Sequence, residues 1–447
     1  MNAISSDKGT SPTGLTGTLT VPGDKSISHR ALMIGALAVG ETTITGLLEG
    51  EDVLATAAAM QQLGAEIEQK EGTWHVTGRG IGGLIEPAGV LDLGNSGTAA
   101  RLLMGVLASH DLTATMTGDA SLSSRPMERV MEPLRHIGAE FTARSGGQLP
   151  ITITGTPSAL PGDETLKVAS AQVKSAILLA GLNAAGNTIV VEPRPSRDHT
   201  EKMLSFFGAD VRSEENTDGS RKITLVGQPE ITGRDIVVPG DISSAAFPIV
   251  AALITPGSDV TIENVGINPL RAGLLDSLSE MGADIEIKNT RDIAGEPVAD
   301  LQVRASQLKG ATIPASRAPA MIDEYPILAV AAACAEGTSI FEGVGELRVK
   351  ESDRLAAMAE GLQECGVETA ATEDTLTIYG TDKIPGKIAG GVTIASQLDH
   401  RIAMSYLVLG LASENPVTID DGSPIETSFP GFLGLMNKLG ATMAEAT

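Results

Sequence analysis

Hydrophobic and polar positions alternate along the chain in a unit that recurs about every 74 residues. In each copy a helix-like stretch ends in an apolar residue and a glycine, and a strand-like segment follows. The glycines are Gly64, Gly138, Gly208 and Gly282, with weaker copies at Gly366 and Gly440. A glycine at this place can end a helix in a left-handed conformation and turn the chain into a strand. The spacing therefore predicts six repeats.

A second feature recurs with a similar period and predicts one buried helix in each repeat. A polar residue opens a stretch rich in Ala and Leu that is apolar on nearly all sides, which is typical of a buried helix. These helices are predicted to begin near Ser28, Ser96, Ser170, Ser243, Asp323 and Asp399. The β-branched strands that follow are predicted at 42–45, 113–117, 188–191, 260–263, 339–341 and 417–419. Each repeat is thus a β/α module with one buried helix and one more amphipathic helix.

The repeats predict two similar halves. A Pro-Gly pair at 239–240 separates three repeats from three. We expect one domain formed by 1–20 and 239–447, with a loose tail at 1–14, and another formed by 21–238. Clustered helix N-termini present free N–H groups and the positive ends of helix dipoles. The pattern therefore predicts an anion site in a cleft between the two domains.

Composition limits the kinds of partner. The 447 residues include 32 Lys and Arg against 56 Asp and Glu, a net charge of −24, and only 2% are aromatic. A broad positive field, which nucleic-acid and anionic-membrane binders use, is therefore not expected. The two cysteines have no metal-ligand spacing, the first residues lack the apolar core of a signal peptide, and no apolar run is long enough to span a bilayer. We expect a cytoplasmic protein with no nucleic-acid or membrane partner.

Cations accompany the polar helix starts. The segment 21–30 places Lys25, Ser26 and Arg30 after a Pro-Gly turn, although Asp24 rules out a P-loop. Cations at comparable places in other repeats are Arg101, Arg125, Lys174, Lys350, Arg354 and Arg401. Any one of them alone would be read as a solvated surface charge. Their repeated position beside helix starts favours an anion site instead.

Two carboxylates could move protons. Asp323 precedes the apolar run 327–333 and could accept a proton from a substrate hydroxyl, or it could simply cap a helix. Glu351 lies between Lys350 and Arg354, and its alternative role is a surface ion pair. The six histidines form no metal-binding pattern, and the glycine-rich stretch 78–83 precedes no evident helix. We therefore expect neither a metal nor a dinucleotide cofactor.

These motifs resemble the 5-enolpyruvylshikimate-3-phosphate synthase family of the enolpyruvyl transferase group. The resemblance extends over about 19–439 and rests on Pro-Gly-Asp-Lys-Ser at 22–26, Leu-Gly-Asn-Ser-Gly-Thr at 93–98, Ser-Ala-Gln-Val-Lys at 170–174, Ile-Asp-Glu-Tyr-Pro at 322–326, Arg-Val-Lys-Glu-Ser-Asp-Arg at 348–354 and Leu-Asp-His-Arg-Ile-Ala at 398–403. It implies an α/β (α+β) fold with two similar domains, each built of three βαβαββ repeats as an inverted α/β barrel. It also implies an enzyme without a cofactor.

The resemblance implies transfer of the enolpyruvyl group of phosphoenolpyruvate to the 5-hydroxyl of shikimate 3-phosphate, through a tetrahedral intermediate, with release of phosphate. The implied catalytic residues are Asp323, Glu351 and Lys25, with the proton donor left open between Lys25 and Glu351. Shikimate 3-phosphate would be held by Lys25, Ser26, Arg30, Ser170, Ala171, Gln172, Ser196, Arg197, Asp323 and Lys350. Phosphoenolpyruvate would be held by Lys25, Asn95, Gly97, Arg125, Gln172, Arg354 and Arg401.

The sequence departs from the family pattern at one expected cation. Thr427 stands where many members place a Lys that contacts phosphoenolpyruvate. The resemblance also implies that glyphosate inhibits the protein, but the sequence leaves its sensitivity open. Gly97 is usual in sensitive members, whereas the stretches 196–201 and 426–430 look like the tolerant bacterial branch, whose tolerant members carry Ala at that place.

Two rival functions remain. The sister transferases that act on UDP-N-acetylglucosamine carry a reactive Cys or Asp on a loop of the second repeat, and the corresponding stretch 118–125 has no Cys. A non-catalytic anion-binding protein would use the cations without needing Asp323 and Glu351.

Oligomeric state and the distribution of charge are also predicted. We expect a monomer whose excess of acidic residues lies on solvated faces. The cations expected to converge on the cleft are Lys25, Arg30, Arg125, Arg197, Lys350, Arg354 and Arg401.

Overall fold

The computed structural model describes residues 2–7, 14–380 and 388–446, and the chain divides into two compact units. The first unit comprises Met1–Pro22, Pro239–Arg291 and Pro297–Thr447, and the second comprises Gly23–Val238 and Asp292–Glu296. The division expected from the sequence placed the first crossing two residues earlier. It also assigned the short segment 292–296 to the first unit, whereas that segment packs with the second. The loose tail predicted at 1–14 is wrong for Ile4–Asp7, which forms a strand paired on both sides, and 8–13 lie outside the described residues.

The second unit contains three four-stranded sheets with the same topology. In each sheet the first two strands are parallel, and the last two strands of the repeat complete it in antiparallel pairs. In sheet order the strands are Asp235–Val237, Glu41–Thr45, Thr73–Thr77 and Glu66–Lys70; then Leu91–Asp92, Thr113–Thr117, Gln148–Thr154 and Glu140–Arg144; and finally Asp163–Thr165, Asn187–Glu192, Arg221–Val226 and Val211–Glu215.

Each sheet of the second unit is accompanied by two helices of different character. The three inner helices are buried along most of their length and consist largely of Ala, Leu, Ile, Val and Met; they are Lys25–Leu37, Gly97–Ala108 and Ala171–Gly181. The outer helices bury mainly one face; they are Glu51–Gln62, Glu128–Ile137 and His199–Phe207, with a short helix at Ala120–Ser124. The inner helices therefore form the centre of the hydrophobic core of this unit.

The first unit repeats the same topology. Its strands, in sheet order, are Thr16–Thr20, Asp259–Gly266, Glu296–Arg304 and Asp284–Ile293; then Thr312–Ile313, Thr338–Glu342, Thr375–Tyr379 and Glu368–Ala371; and finally Thr393–Ile394, Val417–Ile419, Ile4–Asp7 and Thr442–Glu445. The inner helices are Ile242–Ile254, Tyr325–Cys334 and His400–Gly410. The outer helices are Gly273–Glu280, Arg354–Glu364 and Phe432–Lys438.

Four short elements complete the described part of the first unit. They are the helices Ala318–Met321 and Ser423–Ser428 and the 3₁₀ turns Ala315–Arg317 and Gly345–Val349. Among the described residues, no helix combines the length and the apolar character that crossing a bilayer requires.

The six predicted repeats are confirmed. Every glycine of the repeat signature has a positive φ, between 85° at Gly282 and 116° at Gly138, in the range that glycine adopts without strain. All six predicted strands lie within observed strands. The sheets remain separate, four strands each, so none of them closes into a barrel in the part of the chain that is described.

Three of the predicted helix starts need correction. Ser28 and Ser243 lie inside their helices, and the capping side chains are Asp24 and Asp241, which accept the N–H groups of Ile27 and Ser243. An aspartate at the end of a turn supplies the cap that the free N–H groups need, so the helix begins there. Asp323 does not cap its helix either, because Glu324 is the residue at that position.

Candidate active site

The inner helices of the second unit begin close together, and their first residues contact one another. The guanidinium of Arg101 donates to Oε1 of Gln172 at 2.8 Å, and the amide of Gln172 donates to the Thr98 hydroxyl at 3.2 Å. Arg30 donates to the Ser175 hydroxyl at 2.9 Å. These hydrogen bonds link the starts of all three helices, so they bring together predicted site residues from three repeats of the sequence.

Arg30 is a buried cation whose hydrogen bonds go to uncharged groups. Its guanidinium donates to the Thr200 hydroxyl at 2.7 Å, to the Ser26 carbonyl at 2.8 Å and to the Ser175 hydroxyl. Burial lowers the pKa of Arg30 to about 10, and nearby carboxylates, Glu201 first, oppose this shift. The side chain therefore stays protonated at neutral pH, and its positive charge is not cancelled by a bonded carboxylate.

Two further arginines, Arg101 and Arg125, flank Gly97 at the start of its helix. Arg125 donates to Asn95 at 2.7 Å and to the Ser121 hydroxyl at 3.1 Å. Burial, reinforced by the neighbouring cations Arg129 and Arg125, lowers the pKa of Arg101 to about 10. A methyl group added at Gly97 would meet Nη1 of Arg125 at 3.0 Å and Nη1 of Arg101 at 3.1 Å. Gly97 thus leaves room between two guanidinium groups.

Lys25 is the first residue of its helix, and it differs from the three arginines. Its ammonium pairs with the carboxylate of Asp52, and its side chain is 34% exposed. Asp52 was not among the residues predicted from the sequence, because it lies on a different helix of the same repeat, the outer helix Glu51–Gln62. Only the packing of the two helices brings the carboxylate to this ammonium.

Lys174 and Ser196 belong to one buried cluster. The ammonium of Lys174 bonds Glu192 at 3.0 Å, the Ser196 carbonyl at 3.2 Å and Glu201 at 2.8 Å, so it points into the core. Glu192 accepts both the N–H of Ser196, at 3.0 Å, and its hydroxyl, at 2.5 Å. A serine hydroxyl has one proton, so in this state the Ser196 hydroxyl can only accept a hydrogen bond from a ligand.

The other predicted residues of the second unit lie at the same helix starts. Ser170 caps its helix by accepting the N–H of Val173, and Ala171 and Gln172 open it. Ser26 and Arg197 are half-buried. Arg197 lies close enough to Arg30 for the two charges to repel.

In the first unit the inner helix starts gather carboxylates around a buried arginine. Arg354 has no exposed side-chain surface, and it pairs with Asp399 at 2.7 Å, with Glu351 at 2.6 Å and with Asp323 at 3.4 Å. Burial alone would lower the pKa of Arg354, but the surrounding carboxylates, Glu351 first, raise it instead. This guanidinium is therefore permanently charged and holds three acidic groups from different parts of the repeats.

The charge of Arg354 also decides the ionisation of its partners. Burial is the largest influence on Glu351 and works against its ionisation, but the nearby cations, Arg354 first, together hold the pKa of Glu351 below the ordinary value. The same balance lowers the pKa of Asp399. Asp399 caps the helix His400–Gly410 and accepts the Ser352 hydroxyl as well, so it is held from several sides.

Glu324 is a further buried carboxylate beside this group, and sequence reasoning missed it. It accepts hydrogen bonds from Arg271, at 2.8 Å, and from the hydroxyl of Ser243, and Arg401 approaches it at 3.7 Å. Arg401 also donates to the backbone carbonyl of Asp323 at 3.2 Å. The sequence offered one signal for Glu324, its position directly after Asp323. Arg271, which pairs with Glu324, lies outside every motif that the sequence analysis identified.

Lys350 and Thr427 are the last two positions of the first unit that the sequence analysis singled out. Lys350 pairs with the exposed Glu346 at 2.7 Å and is itself partly buried. Thr427, at the place of the expected cation, donates to the Pro424 carbonyl at 2.8 Å. Within the described ranges, no group of three or more His, Cys, Asp or Glu residues is arranged to hold a metal ion.

Comparisons with known proteins all point to one family. The sequence model described as EPSP synthase (3-phosphoshikimate 1-carboxyvinyltransferase) matches residues 10–436. A 3-phosphoshikimate 1-carboxyvinyltransferase of Paramagnetospirillum magneticum is 62% identical over 431 residues, 96% of each chain, and one of Rhodospirillum rubrum is 60% identical over 437 residues, 97% of this chain and 96% of that protein. A solved EPSP synthase of Acinetobacter baumannii superposes with a TM-score of 0.91 at 48% identity, with both chains fully covered.

Proposed function

The chain belongs to the EPSP synthase family, and we propose that it transfers the enolpyruvyl group of phosphoenolpyruvate to the 5-hydroxyl of shikimate 3-phosphate with release of phosphate. The observation that carries this proposal is the division of charge between the two units. The second unit offers guanidinium groups bonded to uncharged partners, and those of Arg30 and Arg101 are buried, which suits anionic substrates. The first unit offers ionised carboxylates held by a buried arginine, which suits proton transfer.

Shikimate 3-phosphate is assigned to the helix starts of the second unit and to the edge of the acidic group in the first. Arg30 supplies a cation that no bonded carboxylate cancels, and Gln172 is oriented by Arg101 and Thr98. The residues proposed to hold this substrate are Lys25, Ser26, Arg30, Ser170, Ala171, Gln172, Ser196, Arg197, Asp323 and Lys350.

Phosphoenolpyruvate is assigned to the space beside Gly97. Arg125 borders this space, and the absence of a side chain at 97 leaves room between the guanidinium groups of Arg101 and Arg125. The proposed ligands are Lys25, Asn95, Gly97, Arg125, Gln172, Arg354 and Arg401. Cations already in place when charge develops stabilise a tetrahedral intermediate and the departing phosphate. Glyphosate, as an anion, is proposed to compete for the same space.

Asp323 is proposed to orient and deprotonate the attacking hydroxyl. Its carboxylate faces Arg354, and its own carbonyl is bonded by Arg401, so both ends of the residue are held. Because the pKa of Glu351 lies below its ordinary value, Glu351 is ionised at neutral pH. An ionised carboxylate is suited to take the methyl proton during elimination, which leaves Lys25 as the donor to the enolpyruvyl methylene during addition.

A coupled phosphate-release assay tests the function. The purified chain receives phosphoenolpyruvate with shikimate 3-phosphate, with UDP-N-acetylglucosamine, or with neither. We expect phosphate release only with shikimate 3-phosphate. Release with UDP-N-acetylglucosamine would assign the chain to the sister reaction, and no release in any arm would leave an anion-binding protein.

Oligomeric state and location are part of the same proposal. We propose a monomer that works in the cytoplasm. Light scattering of the purified chain and fractionation of the cells that produce it test these two statements.

A further inference from the structure

A buried lysine between two glutamates lies beneath the proposed shikimate 3-phosphate residues, and the proposed function does not use it. Lys174 and Glu192 have no exposed side-chain surface, and Glu201 is nearly buried. The cluster contains two carboxyl groups and one ammonium, and burial raises the pKa of Glu201. Burial of a charged group is costly unless that group forms compensating hydrogen bonds, so each carboxylate needs hydrogen bonds that compensate its burial.

Glu192 has such compensation, because it holds Ser196 by two hydrogen bonds. One carboxylate oxygen accepts the Ser196 N–H at 3.0 Å, and the other accepts the hydroxyl at 2.5 Å. Lys174 completes the arrangement by donating to the Ser196 carbonyl at 3.2 Å. Every polar group of Ser196 is therefore bonded to this ion pair, and hydrogen bonds to charged groups in a buried place are strong.

The segment 193–198 connects the strand Asn187–Glu192 to the helix His199–Phe207 and carries Ser196 and Arg197. We propose that Glu192, fixed by Lys174, is a positioning residue for shikimate 3-phosphate. It sets the place of this connecting segment, and through it the direction in which the Arg197 guanidinium leaves the backbone. This inference rests on the proposed function, because it concerns how that substrate is held.

The other carboxylate of the cluster provides a matched control. Glu201 bonds the same ammonium at 2.8 Å, but no hydrogen bond joins it to Ser196, and its second oxygen has no hydrogen-bond partner in the described part of the chain. Glu192→Gln and Glu201→Gln each replace one carboxyl group by an amide of the same size and leave one Lys–Glu pair. Only the first change removes the charged acceptor of Ser196. Arg30, near Glu201, stays cationic in both variants.

The experiment measures KM for each substrate and kcat in the wild type and in both variants, together with the melting temperature. We expect Glu192→Gln to raise KM for shikimate 3-phosphate about tenfold, since a small misplacement of a binding group weakens a pre-organised site strongly. KM for phosphoenolpyruvate should stay within about twofold, and Glu201→Gln should leave both KM values within about twofold.

Equal changes of KM in the two variants, or a lower KM for shikimate 3-phosphate in Glu192→Gln, would overturn the proposal. A lower KM would mean that Glu192 competes with the phosphate for the donors of Ser196. If Glu192→Gln does not fold, Glu192→Asp keeps the charge but is too short to hold both donors, and the same split between substrates is expected. The wild type separates the two claims: without turnover the proposed function fails, whereas turnover with no split rejects this inference alone.

Discussion

The two units have the same topology but surround their inner helix starts with different chemistry. In the second unit Arg30, Arg101 and Arg125 donate to hydroxyl, amide and backbone carbonyl oxygens. In the first unit Arg271 and Arg354 donate to carboxylates. Three helix N-termini are present in both places, so the helices alone do not determine what each site does. The partners of the arginines do.

This difference separates anion binding from proton transfer. A guanidinium bonded to neutral groups keeps its full charge for a ligand, and burial lowers the pKa values of Arg30 and Arg101 only to about 10. A guanidinium surrounded by carboxylates stays charged, but those carboxylates balance its charge, and it favours their ionised form, in line with the lowered pKa values of Glu351 and Asp399. Lys25 is an intermediate case, since Asp52 pairs with it.

The strongest test of the comparison removes the carboxylate assigned to proton transfer. We expect Asp323→Ala to lower kcat by about 10² to 10⁴, the range for loss of a general base, while KM for each substrate changes by less than about fivefold. Steady-state kinetics of the purified variant measure both. Glu360→Ala, an exposed carboxylate on the helix Arg354–Glu364, serves as the control and should keep full activity. Full activity of Asp323→Ala would remove Asp323 from catalysis.

The second test compares the stability of two buried arginines. Arg354→Met leaves three carboxylates without their cation, so we expect the free energy of unfolding to fall by about 3–5 kcal/mol. Arg30→Met removes a donor only from hydroxyl and carbonyl groups, and the two hydroxyl groups still bond each other, so it should cost about 1–3 kcal/mol. Urea unfolding of both variants gives the two values. Equal losses would mean that the two arginines do not differ as the comparison states.

The third test fills the space between the two guanidinium groups. Gly97→Ala places a methyl about where Arg101 and Arg125 now leave room, and their ends must move apart. We expect the inhibition constant of glyphosate to rise by about tenfold or more, the effect of one methyl group in a tight pocket. Gly434→Ala, where an added methyl meets no atom within 4 Å, is the control. An unchanged inhibition constant in Gly97→Ala would reject this role for the pocket.

The smallest expected effect concerns a property that both units share, a histidine kept neutral at an inner helix. Burial and the nearby Lys25 lower the pKa of His29 to about 3, and burial and Arg401 do the same for His400. The unfolded chain, with an ordinary histidine pKa near 6.5, binds more protons between pH 3 and pH 6.5. The His29 contribution to stability is therefore complete above about pH 6.5 and is lost as the pH falls.

We expect His29→Gln to reduce the slope of stability against pH in this range by up to about 1.4 kcal/mol per pH unit. Urea unfolding at pH 4, 5, 6 and 7 measures the slope. His136→Gln, with a side chain 63% exposed, should leave it unchanged. A slope equal to that of the wild type in His29→Gln would show that His29 is protonated in the folded protein.

Much of the fold was predictable, because its signals are local. The positive φ at Gly64 and at the other five signature glycines follows from a need that any helix-to-strand turn has, and an apolar stretch predicts a buried helix wherever it occurs. Helix starts were less certain. The polar residues Ser28 and Ser243 predict helix starts near them, but Asp24 and Asp241 precede these serines and accept the first free N–H groups.

The candidate site divides in the same way. Asp323, Arg354 and Arg401 stand in motifs whose resemblance to a family drew attention to them. Glu324 and Arg271 form a buried ion pair across 53 residues of sequence, and Lys174 turned out to point into the core. No pattern along the chain distinguishes a cation that faces a ligand from one that faces a buried carboxylate.

The sequence by itself therefore determined the six repeats, their buried helices and the residue types at the helix starts, because these depend on neighbours a few positions apart. The tertiary structure alone decided which arginines have a bonded carboxylate to balance their charge. That choice depends on the groups that packing brings to within about 3 Å, such as Thr200 for Arg30 and Asp399 for Arg354. Electrostatic interaction follows distance in space, and in this protein the partners come from repeats far apart along the chain.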